Sequence, residues 1–162
     1  MIVPSACPRP DKLIECAVVL DIGPGIRPVK WYVPEAHVCV EPCPQYAQHL
    51  RNAGYDVVEQ HALQFLRRQY IPADSAIYML DSLEHMEREE GAQTVQAALV
   101  LKPAQIVIYT PNGFLPQHGD AWGLGGEEWQ EHRSGWTPGD FPGWVIQLVG
   151  RAFFAIWTRG EA

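Results

Sequence analysis

Two acidic residues at the ends of apolar runs, the first followed by a paired-glycine turn, carry the clearest chemical pattern in this chain of 162 residues. Val18 to Pro28 reads Val-Val-Leu-Asp-Ile-Gly-Pro-Gly-Ile-Arg-Pro, so an unbroken apolar run delivers Asp21 and then Gly23 and Gly25. Such a run predicts a strand covered on both faces of a parallel sheet. The two glycines have no Cβ, which lets the backbone turn sharply and come close to a ligand. Val38 to Glu41 repeats the arrangement, and 20 residues separate Asp21 from Glu41. At that spacing a carboxylate on the tip of the second strand reaches the ribose hydroxyls of a bound nucleoside. A third glycine, which would bring a helix N-terminus to a pyrophosphate, is replaced by Ile26-Arg27-Pro28. Proline in a first helix disfavours a diphosphate cradle.

Asp21-x-Gly23-x-Gly25 and Glu41-Pro42 together resemble the cofactor motifs of class I S-adenosylmethionine-dependent methyltransferases. Gln60-His61-Ala62 falls where that family contacts adenine, more often through an acidic residue. Ile77 to His85 resembles the family's fourth strand and the segment after it, on the acceptor side of the pocket. Gln105 to Gly113 resembles its fifth strand and following loop, so the likeness covers nearly the whole chain. The resemblance implies a Rossmann-like α/β fold: a mostly parallel seven-stranded sheet, helices on both faces and an antiparallel last strand. It also implies S-adenosylmethionine as cofactor, bound by Asp21, Gly23, Gly25, Glu41, Pro42, His61, Ala62 and Asp81.

Moving a methyl group off a sulfonium requires mainly that the acceptor be aligned and water excluded. A hydroxyl acceptor also needs a base, and histidine is the side chain best matched to neutral pH. Of His85, His118 and His132, we expect His85 and His132 to be catalytic, while His118 in Gln117-His118-Gly119-Asp120 reads as a solvated loop residue. Glu84-His85 fits two roles, bracing the next helix or acting at the carboxyl edge where open α/β sheets bind ligands. Together with Thr110 to Gly113 and Glu131 to Thr137, Asp81-x-x-Glu84-His85 resembles two metal-assisted O-methyltransferase subgroups. One makes quinone methyl ethers and the other methylates the terminal 2′-hydroxyl of small RNAs. This resemblance implies Mg²⁺ or Mn²⁺ on Asp81, Glu84, His85 and His132, with Asp81 standing where those enzymes carry glutamate. Trp122, Trp129, Trp136 and Trp144 either bury the loop that carries them or wall an acceptor pocket. Arg27 and Arg133 either form surface ion pairs or grip an acidic acceptor.

Length and a hydrophobic content of 47% fit one domain over residues 1–162 with a single core. A formal net charge of −7 opposes attraction to phosphate polymers, which disfavours nucleic acid. A small-molecule acceptor methylated at oxygen is therefore the first expectation, RNA 2′-O-methylation the second. No apolar run reaches the about 20 residues that span a bilayer, and no basic-then-apolar leader opens the chain, so a cytoplasmic location is expected by default. The four cysteines form no CxxC pair, and Cys16 and Cys39 read as buried thiols. Two other classes stay open: a nicotinamide oxidoreductase, which shares the strand, turn and Glu41, and a non-catalytic cofactor- or partner-binding module. Oligomeric state is open as well.

The elements that must position these residues follow from periodicity and punctuation. Asp11 to Cys16 predicts a short leading helix and Ala17 to Asp21 the first strand. Pro28 and Pro34 leave little room for a crossover helix before the second strand. Helices are expected at Pro44 to Ala53, Ala62 to Gln69 and Arg88 to Leu101, with strands at Asp56 to Glu59, Ala76 to Leu80 and Gln105 to Thr110. Pro111 to Trp136 is too long for an ordinary connection and predicts a lid or pocket wall. Thr137-Pro138 opens a helical turn, and Val145 to Val149 with Phe153 to Thr158 forms a closing strand pair.

Overall fold

In the computed structural model, which describes residues 7–28 and 37–161, seven strands form one sheet. In chain order the elements are β1 (Val18–Ile22), β2 (His37–Val40), α1 (Pro44–Asn52), β3 (Asp56–Val58), α2 (Ala62–Leu66), β4 (Ser75–Leu80), α3 (Arg88–Val100), β5 (Gln105–Pro111), α4 (Glu127–Gln130), β6 (Val145–Val149) and β7 (Ala152–Thr158). Single 3₁₀ turns lie at Leu83–His85 and Pro138–Asp140. The spatial order is β3-β2-β1-β4-β5-β7-β6. Every pairing is parallel except those of β7, which runs antiparallel to both β5 and β6. This is the expected α/β architecture with its antiparallel last strand.

Right-handed crossovers assign the helices to faces. The β2-to-β3 connection moves outward along the sheet and the β3-to-β4 and β4-to-β5 connections move back across it, so α1 lies on one face and α2 and α3 on the other. The second face holds the larger core, where Leu20, Ile22, Ile77, Met79, Ile106 and Ile108 meet Phe65, Leu66 and Ala98. Each such side chain contributes about 1.5–3 kcal/mol when fully buried. The opposite face carries Val19, Tyr78, Val107, Phe154 and Ile156.

The leading helix expected at Asp11 to Cys16 does not form. This segment is an extended strap over the second core cluster, into which Cys16 and the partly buried Leu13 pack. Side chains of the sheet satisfy its backbone: Asp11 N–H donates to Gln147 Oε1 (2.9 Å), Ile14 N–H to Gln105 Oε1 (3.3 Å), and Gln105 Nε2 donates to the Lys12 carbonyl (3.0 Å). Those partners are remote in sequence, and they outweigh a short segment's weak local helix preference. Gly23 to Pro28 is likewise non-helical, while the rest of the expected truncated crossover lies outside the described residues. Cys16 and Cys39 are buried thiols, as expected, and burial pushes them up to about 11 in Cys16 and further in Cys39.

Helix α3 buries Gly91, Thr94 and Ala98, a row of small residues that lets it sit close to its neighbours. The indole of Trp136 rests against Gly91. It is fixed there by an Nε1 bond to Ser134 Oγ (2.9 Å) and by the Arg88 guanidinium 3.8 Å above the ring. A Cβ at Gly91 would lie 2.6 Å from Trp136 Cζ2. Gly91→Ala therefore gains helix propensity but overpacks a pinned ring, for a net loss of about 1–2 kcal/mol. Urea unfolding measures this, and a more stable variant would show that Trp136 is free to move.

Candidate active site

Strand β1 sits between β2 and β4, and chain progression reverses direction there. Open α/β sheets bind ligands at the carboxyl end of such a switch point. A cavity of about 260 Å³ opens there, lined by Gly23, Gly25, Glu41, Pro42, His61, Ala62 and Asp81 among others. Seven of the eight expected cofactor residues thus surround one space. Asp21 is the exception: it lies within β1, in register with Cys39 and Tyr78, and is buried in the sheet below the cavity.

The two glycines are both left-handed, at φ +67° for Gly23 and +62° for Gly25, a conformation that side chains resist. Gly23 N–H donates to the Val40 carbonyl (2.8 Å), which ties the turn to β2. Glu41 completes that corner. Its Oε2 accepts from Gly25 N–H and its Oε1 from Cys43 N–H, both at 2.9 Å. Burial pushes the Glu41 carboxyl up to about 7 against the pull of those two bonds. A carboxylate has about four acceptor positions, so capacity remains for a ligand's hydroxyls.

At the opposite end, the turn after β4 gathers Glu84, His85 and His132, whose ligand atoms all lie within 4.8 Å of one another. The two imidazoles meet edge to face, centroids 4.8 Å apart. His85 Nδ1 lies 3.2 Å from the Glu131 carbonyl and His132 Nδ1 2.6 Å from the Leu115 carbonyl. A carbonyl only accepts, so both Nδ1 atoms carry the proton and both Nε2 atoms keep a lone pair in the neutral rings. Burial, then the neighbouring His132, lowers His85 to about 4, and burial lowers His132 as well. Glu84 Oε2 accepts from the Thr110 hydroxyl (3.1 Å), while its buried Oε1 has no hydrogen-bond partner. Burial, followed by the charge of Asp81, pushes the Glu84 carboxyl well up. Of the four expected metal ligands, Asp81 stands outside this group: it lines the cavity from a left-handed residue (φ +55°), on an arm one methylene shorter than glutamate.

The Pro111 to Trp136 segment divides between the two ends. Arg133 and Ser134 N–H groups both donate to the Glu84 carbonyl (2.8 and 3.1 Å), holding the His132 end on the turn after β4. The middle of the segment lies on the glycine turn and α1 instead. Asp120 organises it, accepting from the N–H groups of Trp122 (2.9 Å), Leu124 (2.6 Å), Gly125 (2.8 Å) and Gly126 (3.1 Å). The Tyr46 hydroxyl (2.9 Å) and Gln130 Nε2 (3.0 Å) also donate to it, and Gln130 donates to Tyr46 (2.8 Å). Burial opposes the Asp120 charge, but these donors outweigh it and hold the carboxyl well below the usual range. Trp136 and Trp144 pack on Phe141 in the core, whereas Trp122 and Trp129 line the cavity. His118 is exposed, as expected. Arg133 lines the cavity with its guanidinium donating to the Glu128 carbonyl (2.9 Å), and Arg27 is exposed and does not line it.

Sequence reasoning missed Tyr46, Ser82, Glu90, Glu128 and Gln130 as lining residues. Tyr46 alone had a local signal, one turn past Glu41-Pro42; the others depend on how the lid folds.

The fold is that of class I S-adenosylmethionine-dependent methyltransferases. No protein-family model matches the chain, and no curated protein matches it in sequence. Solved structures do. The small RNA methyltransferase HEN1 superposes with a TM-score of 0.62 at 15% identity over 92% of this chain, which spans 24% of that protein. Magnesium protoporphyrin IX methyltransferase from Synechocystis PCC 6803 with bound SAH matches at 0.62 and 14% identity, covering 90% of this chain and 75% of that one. The methyltransferase domain of bacterial-CtHen1-CN matches at 0.60 and 13%, covering 88% and 90%. Among the described residues no helix is long and apolar enough to cross a membrane.

If Asp120 organises the lid, Asp120→Ala destabilises the protein by about 1.5–3 kcal/mol, the range for hydrogen bonds to a charged group, and Asp120→Asn by less. Denaturant melts read this directly. No change for Asp120→Ala would mean that water replaces the carboxylate and the lid holds without it.

Proposed function

We propose that this chain is a methyltransferase that takes its methyl group from S-adenosylmethionine and delivers it to oxygen on a small, non-anionic acceptor. The observation that carries the reading is one cavity with a nucleoside-type corner at Gly23, Gly25 and Glu41 and a neutral two-histidine, one-carboxylate group near its other end. Bound there, the cofactor supplies an electrophilic methyl on a sulfonium. Glu41 accepts the ribose diol with the glycine turn against the nucleoside beside it, and Pro42, His61 and Ala62 flank the base. The lid excludes water, leaving orientation as the main source of rate.

The group at Glu84, His85 and His132 fits a divalent cation. Glu84 Oε1 is buried without a hydrogen-bond partner, the three ligand atoms lie within 4.8 Å of one another, and both rings are oriented by carbonyls, as metal-ligating histidines commonly are. Two imidazoles favour Mn²⁺ over Mg²⁺. Glu84, His85 and His132 would hold the ion, which would supply a lowered pKa to the acceptor hydroxyl. Without an ion, His85 Nε2 takes the hydroxyl's proton itself.

Cavity charge bears on the acceptor. Asp81, Glu90 and Glu128 line it, and Arg133 faces them with a guanidinium already engaged. With the net charge of −7, this opposes a polyanion. The second reading, 2′-O-methylation of RNA, rests on the Glu84, His85 and His132 group and on the fold neighbour described as a small RNA methyltransferase.

His85→Ala should lower turnover about 10²–10⁴-fold. Its affinity for S-adenosylhomocysteine should stay near wild type. Loss of activity to chelator with recovery on Mn²⁺ assigns the ion; indifference to chelator leaves His85 as the base. Single-turnover assays with small hydroxylated acceptors and with a short RNA duplex separate the two substrate classes.

Glu41 generates a pH prediction. Its carboxyl is half-protonated near pH 7 in the free protein, and hydrogen bonds from a ribose diol favour the charged form, so binding releases a proton. Affinity for S-adenosylhomocysteine should therefore rise as pH climbs toward about 7 and level off above it. Calorimetry on Glu41→Gln should show weaker binding with that pH dependence gone. The same slope in the variant would remove Glu41 from the site.

A further inference from the structure

We infer that the lid tryptophans Trp122 and Trp129 belong to the cofactor half of the cavity, where they contact the nucleoside, and do not wall the acceptor. This rests on the methyltransferase reading and assigns two binding residues within it. Trp122 contacts the glycine turn so closely that a Cβ on Gly25 would overlap its six-membered ring. Its other neighbour is Tyr46 of α1, centroids 4.9 Å apart and edge to face. Trp129 meets His61, in the segment after β3, with centroids 5.4 Å apart. These contacts run along β1, β2 and β3, the side of the switch point where the ribose and base are expected; the acceptor end lies beyond β4, at His85.

Two further features fit a ligand contact better than simple loop burial. Both indoles are only partly buried and line the cavity, unlike Trp136, which is enclosed in the core. The Asp120 bonds fix the backbone of Trp122 and the Gln130 side chain next to Trp129, so both rings are presented from a preorganised loop. Aromatic faces held in this way stack on a purine or cover a ribose at low entropic cost. The absence of a Cβ at Gly25 then serves the indole as well as the ligand.

The test is calorimetry of S-adenosylhomocysteine and of adenosine alone, on wild type and on Trp122→Ala, Trp129→Ala and the corresponding phenylalanine variants, with ligand-free melts in parallel. We expect each alanine variant to weaken both ligands by about tenfold and phenylalanine to restore most of the loss. Equal affinities in wild type and alanine variants overturn the proposal, even where the ligand-free melt drops, because the indoles then only bury the loop. Tighter binding to Trp122→Ala also overturns it, since the indole would be occupying the ligand's place. Loss for S-adenosylhomocysteine but not adenosine would put the rings on the amino-acid portion and overturn the nucleoside assignment. Wild-type protein that binds neither ligand brings down the methyltransferase reading itself.

Discussion

A glutamate with 1% of its surface exposed stands at the junction of β4, β5 and the lid. Glu84 holds that junction through three hydrogen bonds: its carbonyl takes two lid N–H groups and its Oε2 the hydroxyl of Thr110 on β5. Burying a carboxylate is costly unless it is paired, which is why its proton affinity rises. The remaining oxygen has no hydrogen-bond partner among the described residues, and the neighbouring Asp81 carboxyl raises the group's proton affinity further. Burial keeps the two histidines beside it neutral as well, with their protons committed to carbonyls. The protein thus keeps three electron-pair donors together in a dry place, an arrangement that serves stability poorly and cation or proton chemistry well.

The sheet determines where that group stands relative to the Glu41 corner. Because β1 is flanked by β2 on one side and β4 on the other, the Glu41 corner and the Glu84 turn open toward a common cavity. The lid joins them by hydrogen-bonding to both: through Asp120 to Tyr46 on the Glu41 side, and through Arg133 and Ser134 to Glu84 on the His85 side. One connection between β5 and β6 therefore closes both ends.

The core strands were legible because each is a short apolar run ended by a charged, proline or glycine residue. Burial of β4 on both faces follows directly from Ser-Ala-Ile-Tyr-Met-Leu. The meeting of Glu41 with the glycine turn at one cavity was legible from their spacing. The leading helix was misread because its backbone is satisfied by Gln105 and Gln147, partners with no local signature. Asp81 matched a pattern; the group whose ligand atoms lie within 4.8 Å of one another has three members, with Asp81 beside Glu84. The four late tryptophans were indistinguishable in sequence, since two are core and two are cavity only after the Asp120 bonds fold the lid.

The most direct measurement is a crystal structure of the protein grown with S-adenosylhomocysteine. The account predicts the ligand in the cavity at the carboxyl ends of β1 and β4, both ribose hydroxyls on the Glu41 carboxylate and the sulfur turned toward His85. Ligand seated elsewhere, or in the cavity with its ribose away from Glu41, would contradict it.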